Sequence, residues 1–227
     1  MKKKTIDKKP LYAAVGLILA AVVILLILLG GGSGKKSEPD PDWISLGEEL
    51  YLVKVDRYSG MYLEDGSDTI VQDIMAITVV NNGEEAVQLG NVEVRSAQGQ
   101  VYSFEFTTLF PGEQMVVLER NRAAYDPALE VAYAGVTMVA RFQQAPELHE
   151  DVLEVSCADQ AITVKNVSGE TFNGGRVFYK NVSGDLLIGG ITYMATVPAL
   201  TEDEEVTLFA GHYTVDGSRL MFVTYAE

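Results

Sequence analysis

The chain has one cysteine, two histidines and one tryptophan among 227 residues. With Cys157 alone, no intrachain disulfide can form, so the fold must rest on its core. His149 and His212 are too few and too far apart in sequence for a zinc cluster. No Gly-x-Ser-x-Gly elbow and no Gly-x-x-x-x-Gly-Lys phosphate loop occurs. Positive charge is scarce where most of the chain lies: from Glu38 onward there are 10 Lys and Arg against 31 Asp and Glu, a net of −21. So acidic a region repels nucleic acid, and no basic-aromatic patch offsets it. Its plain consequence is solubility and self-repulsion. Together these absences predict a non-enzymatic chain without a cofactor.

The lysines that exist are concentrated at one end. Lys2, Lys3, Lys4, Lys8 and Lys9 precede the uncharged run Leu11–Leu29, and only Lys35 and Lys36 closely follow it. The run spans 19 residues and includes Leu11, Leu17, Leu19, Ile24 and Leu29. As a helix it would reach roughly 28 Å, close to the hydrocarbon thickness of a bilayer. The lysine imbalance predicts a signal-anchor with a cytoplasmic N-terminus and extracellular C-terminal domains, in contact with membrane lipid through this helix. A cleaved signal peptide is the competing reading, although its apolar core is usually about 7–15 residues. A soluble core helix is disfavoured because no polar face is left for water. Gly16 and Ala20 form a weak small-xxx-small pair for helix association.

Residues 30–42, GGGSGKKSEPDPD, read as a flexible linker joining the cytoplasmic tail (1–10) and anchor (11–29) to the folded region that begins near Trp43. Trp43 is expected to plug the bottom of a first domain. Beyond it the chain repeats itself. Ala76-Ile77-Thr78-Val79-Val80-Asn81 returns as Ala161-Ile162-Thr163-Val164-Lys165-Asn166, 85 positions later. Leu109-Phe110-Pro111-Gly112-Glu113 is matched to Ala199-Leu200-Thr201-Glu202-Asp203. Alternating apolar runs broken by Ala97-Gln98-Gly99 and by Asn181-Val182-Ser183-Gly184 predict hairpins in both copies. The expected architecture is all-β: two tandem immunoglobulin-like β-sandwiches at 43–145 and 146–227.

The second copy resembles FxLYD-type and related immunoglobulin-like modules of membrane-anchored surface proteins of Gram-positive bacteria. The resemblance is carried by Ile162–Ser168, by Val177-Phe178-Tyr179-Lys180-Asn181 and by Gly189–Pro198 leading into Glu204-Glu205-Val206. The first copy shares the Val-x-Asn-Asn-Gly start at 79–83 and the Phe110-Pro111-Gly112-Glu113 turn, but has Val94-Arg95-Ser96-Ala97 at its centre. The resemblance implies fold and extracytoplasmic location and transfers no catalytic residue; a protein partner at the cell envelope is expected from the anchor, the linker and the two β-domains taken together.

Glu64, Asp65 and Asp68 gather hard oxygen ligands in one loop and are weak calcium candidates; a solvated turn is the simpler reading. Glu202–Glu205 reads as an inter-strand turn. The pentad Lys-Asn-Val-Ser-Gly occurs at 165–169 and again at 180–184, and each copy fits an N-glycosylation acceptor. Turn chemistry explains both: Asn and Ser bond the local backbone, and Gly supplies positive φ. Cys157, in a strand-like stretch, reads as a buried apolar thiol. The function expected is a surface binding or scaffolding module. The alternative is a sensor or accessory subunit of a larger membrane complex.

Overall fold

Strong alternation of apolar and polar residues over 6–12 positions leaves the chain little choice but strands, and strands are what it forms. The structure, a computed structural model, describes residues 39–67 and 69–225. The basic tail, the Leu11–Leu29 run and Asp68 lie outside the described residues. Among the described residues there is no helix, and none long and apolar enough to cross a membrane. The first half contributes β1 (Ile44–Gly47), β2 (Leu50–Met61), β3 (Ile70–Asn81), β4 (Val87–Ser96), β5 (Val101–Leu109), β6 (Gln114–Leu118) and β7 (Val131–Arg141). The second contributes β8 (Leu153–Ala158), β9 (Ala161–Asn166), β10 (Gly175–Ser183), β11 (Leu186–Val197), β12 (Glu205–Phe209) and β13 (Ser218–Tyr225).

The two halves repeat one pairing scheme. The sheet β2-β3-β6 corresponds to β8-β9-β12, and β5-β4-β7 corresponds to β11-β10-β13. The register fixes the repeat more closely than the sequence does. Val80 pairs with Gln114 and Lys165 with Glu205, so the β6/β12 region is offset by 91 residues rather than the 90 expected. Leu109 therefore matches Leu200, and Gly112 matches Asp203. Both Gly112 and Asp203 have positive φ, 76° and 59°, as the same tight turn requires.

The change of offset from 85 to 91 has one structural source. Val94 and Tyr102 face each other across the β4–β5 hairpin, eight positions apart. Their equivalents Tyr179 and Tyr193 are fourteen apart, so the β10–β11 hairpin is six residues longer. That extension reaches the first half. Leu187 and Ile188 pair in parallel with Met115 and Val116 of β6. The result is one seven-stranded sheet, β1-β2-β3-β6-β11-β10-β13, continuous through both halves.

Side-chain alternation along β10 and β13 then places the other two sheets. Val177, Tyr179 and Val223 enter a second core with Leu153, Ile162, Val164 and Val197. Their neighbours Phe178, Val182, Met221 and Phe222 pack on the first core, with Val92, Phe104, Phe106 and Leu187. The two three-stranded sheets thus cover opposite faces of the long one. The described residues belong to a single compact unit, with the 142–152 connection free of strand. The two sandwich halves are fused rather than strung end to end.

Three local expectations are corrected. Trp43 does not plug the core: it is only half-buried, its ring 6.3 Å from that of Tyr51, while Leu46, Leu50 and Leu52 fill that end. The pentads differ, because 165–169 ends β9 in a turn whereas Lys180–Ser183 lies within β10 and the turn is Gly184-Asp185. Cys157 is half-buried against the second core, so it is not a fully enclosed thiol.

Candidate functional site at the seam between the halves

The parallel pairing of β6 with β11 is short, so at its end both strands have backbone groups without a ladder partner. Glu64 supplies one. Its carboxylate accepts from the Leu118 N–H (2.7 Å, β6) and from the Gly190 N–H (2.7 Å, β11), clasping the two strands. Lys180 serves the carbonyls. It is fully buried, and its Nζ donates to the carbonyl oxygens of Thr107 (2.9 Å, β5), Gly190 (2.9 Å) and Ile191 (2.7 Å). Thr107 and Thr192 close the cluster through their hydroxyls, 2.8 Å apart. Such close approach requires a strand without side chains. A Cβ on Gly190 would collide with the Glu105 carbonyl, and Gly189 has φ +84° and stands against Leu63.

Electrostatics follow from this burial. Desolvation pushes the Glu64 carboxyl up to about 7, opposed by the Leu118 and Gly190 hydrogen bonds and by Lys180. Desolvation pushes the Lys180 amine down to about 7, opposed by Glu64 and Glu113. From about pH 4.5 to 7 the folded chain keeps a proton at Glu64 that the unfolded chain releases. This contribution is fully present at low pH and is lost as pH rises through 7. Lys180 acts in the opposite sense above pH 7, where stability rises as the unfolded chain loses its own proton. The stability of the wild type minus that of Glu64→Gln, measured by urea unfolding, is expected to fall by about 1–3 kcal/mol between pH 4.5 and 7.5. Parallel stability curves for the two proteins would refute this assignment.

On the solvent side of Glu64 lies an open pocket of about 420 Å³ lined by Tyr62, Glu64, Asp65, Arg120, Asn121 and Arg122. Arg122 sits 4.3 Å above the Tyr62 ring and 2.6 Å from the Asp65 carboxylate. Hydrogen bonds from Ser67, and then Arg122, hold the Asp65 carboxyl below the usual range. The Tyr62 hydroxyl donates to the carbonyls of Glu119 (3.1 Å) and Arg120 (2.9 Å). The buried Glu119 carboxylate takes the Ser103, Asn121 and Ala123 N–H groups, which fixes the 119–123 turn. Arg120 faces Glu105 at 3.4 Å. Each arginine of the pocket is therefore paired with a carboxylate, and the cavity is a polar recess.

Of the three calcium candidates, the two that are described, Glu64 and Asp65, take separate partners. Glu64 turns inward to two N–H donors, Asp65 turns to Ser67 and Arg122, and Asp68 lies outside the described residues. Residues 202–204 form the predicted inter-strand turn and Glu205 begins β12, with Glu204 accepting from the Thr201 N–H (2.7 Å) and hydroxyl (2.9 Å). His149 lies edge-on to Tyr225 at 4.9 Å, in a groove of about 410 Å³ beside the 142–149 connection. His212 stacks on Tyr193 elsewhere.

The residues that organise each half were visible only as turn formers. Asn81 donates to the carbonyls of Glu85 (2.9 Å) and Leu109 (3.1 Å) and accepts from the Gly83 N–H (3.0 Å). Asn166 repeats this with Glu170 (2.6 Å), Leu200 (3.2 Å) and Ser168 (3.1 Å), and adds Thr201 (3.1 Å). Its side chain is wholly buried, so this acceptor site is closed to a glycan. Sequence reading missed Lys180 as a seam residue. Its signal was a lysine directly after Phe178-Tyr179 and a Gly189-Gly190 step in a hairpin longer than its counterpart.

No protein-family model matches the chain, and no curated protein matches it.

Proposed function

We propose that the chain is a single-pass membrane protein with its N-terminus in the cytoplasm, carrying a non-enzymatic binding or scaffolding module outside the cell. On this reading the module is a pair of immunoglobulin-like halves, as in the FxLYD-type surface modules the second copy resembles. The observation that carries the proposal is the seam. The shared sheet and the Glu64–Lys180 cluster hold both halves in one arrangement, and their buried polar groups are engaged by backbone partners. A rigid all-β unit behind an apolar run and a 13-residue linker suits display of a surface at the envelope. The Gly16–Ala20 pair supports a second reading, in which the helix joins this chain to a larger membrane complex.

Protease added to intact, wall-stripped cells tests the topology. The expected result is digestion beyond residue 38 with a small fragment left in the membrane. A full-length chain that survives, or one recovered from the cytosol, would overturn the proposal. Crosslinking in membranes separates the two readings. Partner capture lost on replacing the helix alone favours the complex subunit, and capture lost on altering the β-unit favours the binding module.

A further inference from the structure

The internal repeat makes a comparison that a single sandwich could not offer, because the same sheet edge occurs twice. In the first half this edge is β6, and it is occupied. The Asn81 N–H bonds the Glu113 carbonyl and the Glu119 N–H bonds the Met75 carbonyl, so alternate residues from 113 to 119 turn their backbone groups toward β3. Residues 114, 116 and 118 turn theirs outward. There β11 pairs in parallel through Leu187 and Ile188, and Glu64 accepts the Leu118 N–H. In the second half the Asn166 N–H bonds the Glu204 carbonyl and the Ala210 N–H bonds the Gln160 carbonyl. By the same alternation Glu205, Thr207 and Phe209 of β12 direct their backbone groups away from β9. The sheet order ends at β12, so no strand among the described residues pairs with that edge.

Side chains sharpen the contrast. Leu118 is 0% exposed, covered by Tyr62, Val71, Ile74 and Ala76. Its repeat equivalent Phe209 is 80% exposed, while Val206 and Leu208 face the second core. A large aromatic thus stands in the open at the position where the other half buries a leucine beneath added chain. Charge gives the site a direction. Glu202, Asp203, Glu204 and Glu205 stand at the start of β12, and Phe209 ends it.

We infer that the β12 edge accepts an extended segment of another protein, added in parallel, with Lys or Arg at its N-terminal end and apolar residues following. The inference rests on the proposed role as a binding module and names the mode and chemistry of the partner. A second copy of this chain fits less well, because its described part is strongly acidic. A parallel strand starting with basic residues meets Glu205 and the acidic turn first. Its apolar residues then run along Thr207 toward Phe209, as Leu187 and Ile188 run along β6.

The test uses the full-length chain in detergent and a synthetic peptide of two lysines followed by Leu-Leu-Ile-Gly-Gly-Ile, the β11 segment at residues 186–191. Titration calorimetry should detect binding that weakens at least tenfold in Thr207→Pro, which deletes an outward N–H and spares the β9 ladder. Phe209→Ser and a backbone N-methylated peptide should weaken it similarly, and Ser156→Ala on β8 should leave it unchanged. Moving the lysines to the C-terminal end of the peptide should weaken binding severalfold. Binding that is absent, indifferent to these changes, or stronger with C-terminal lysines would overturn the inference. So would a dimer in sedimentation that Thr207→Pro dissociates, since that makes a second copy the occupant. Failure of the cell-protease experiment with peptide binding intact would remove the extracellular reading alone.

Discussion

Replacing Lys180 with methionine is expected to lower unfolding free energy by about 3–5 kcal/mol in urea denaturation. Methionine keeps most of the apolar stem, so the loss isolates the amine. Three carbonyls now receive its N–H groups, from Thr107, Gly190 and Ile191, and they sit where β5, β11 and the Glu64 loop close over them. Without the amine the Ile191 carbonyl loses this donor, and the Gly190 and Thr107 carbonyls keep only the hydroxyls of Thr107 (3.0 Å) and Thr192 (3.4 Å); each bond lost to the buried amine costs about 1–3 kcal/mol. Replacing a buried charge by an apolar group is often neutral, but only where its partners are removed with it. Here they are backbone and remain. Glu64→Gln added to Lys180→Met should show coupling of about 1 kcal/mol, because the two side chains bind the N–H and the carbonyl of the same residue, Gly190. Wild-type stability in Lys180→Met would mean that the seam does not depend on the amine.

Asn166→Ala is expected to cost about 2–4 kcal/mol, and Asn81→Ala about 1–3 kcal/mol, by the same measurement. The order follows from the number of carbonyls left behind: Glu170, Leu200 and Thr201 around Asn166, but Glu85 and Leu109 around Asn81. Each asparagine ties the end of one strand to the turn that precedes another, so its loss also loosens the turns at Gly112 and Asp203. Equal effects, or a larger effect at Asn81, would contradict this assignment.

Much of this was legible in the sequence because it follows from local periodicity. Alternation in Ala161–Asn166 and Val101–Phe106 dictates strands, and the matched Asn-containing turns expose the repeat. The fusion of the halves was harder to see because it depends on a non-local contact. It was present only as a change in period, from 85 residues before the hairpin to 91 after it, and aligning Leu109 with Ala199 hid one residue of that change. The chemistry of Lys180 was equally concealed. The same pentad places Lys165 on the surface, 3.1 Å from Asp203, and Lys180 in the interior. Five identical residues take two structures because strand phase and the neighbouring sheet, rather than the pentad, determine which face is covered. Trp43 went astray for a related reason. A lone aromatic near a domain start suggests a plug, but three leucines in β1 and β2 already fill that place.

Hydrogen exchange on Asn166→Ala tests the central claim, that the shared sheet makes the two halves one cooperative unit. The hydrogen-bond partners of the Asn166 side chain, Ser168, Glu170, Leu200 and Thr201, all lie in the second half, yet β6–β11 pairing and the doubly buried β10 transmit its loss to the first. Amides of β3 and β9, such as those of Ile77 and Ile162, should lose protection together and by similar factors under native conditions. Protection that falls in residues 153–225 alone, with 44–141 unchanged from wild type, would show two independent domains and contradict the account.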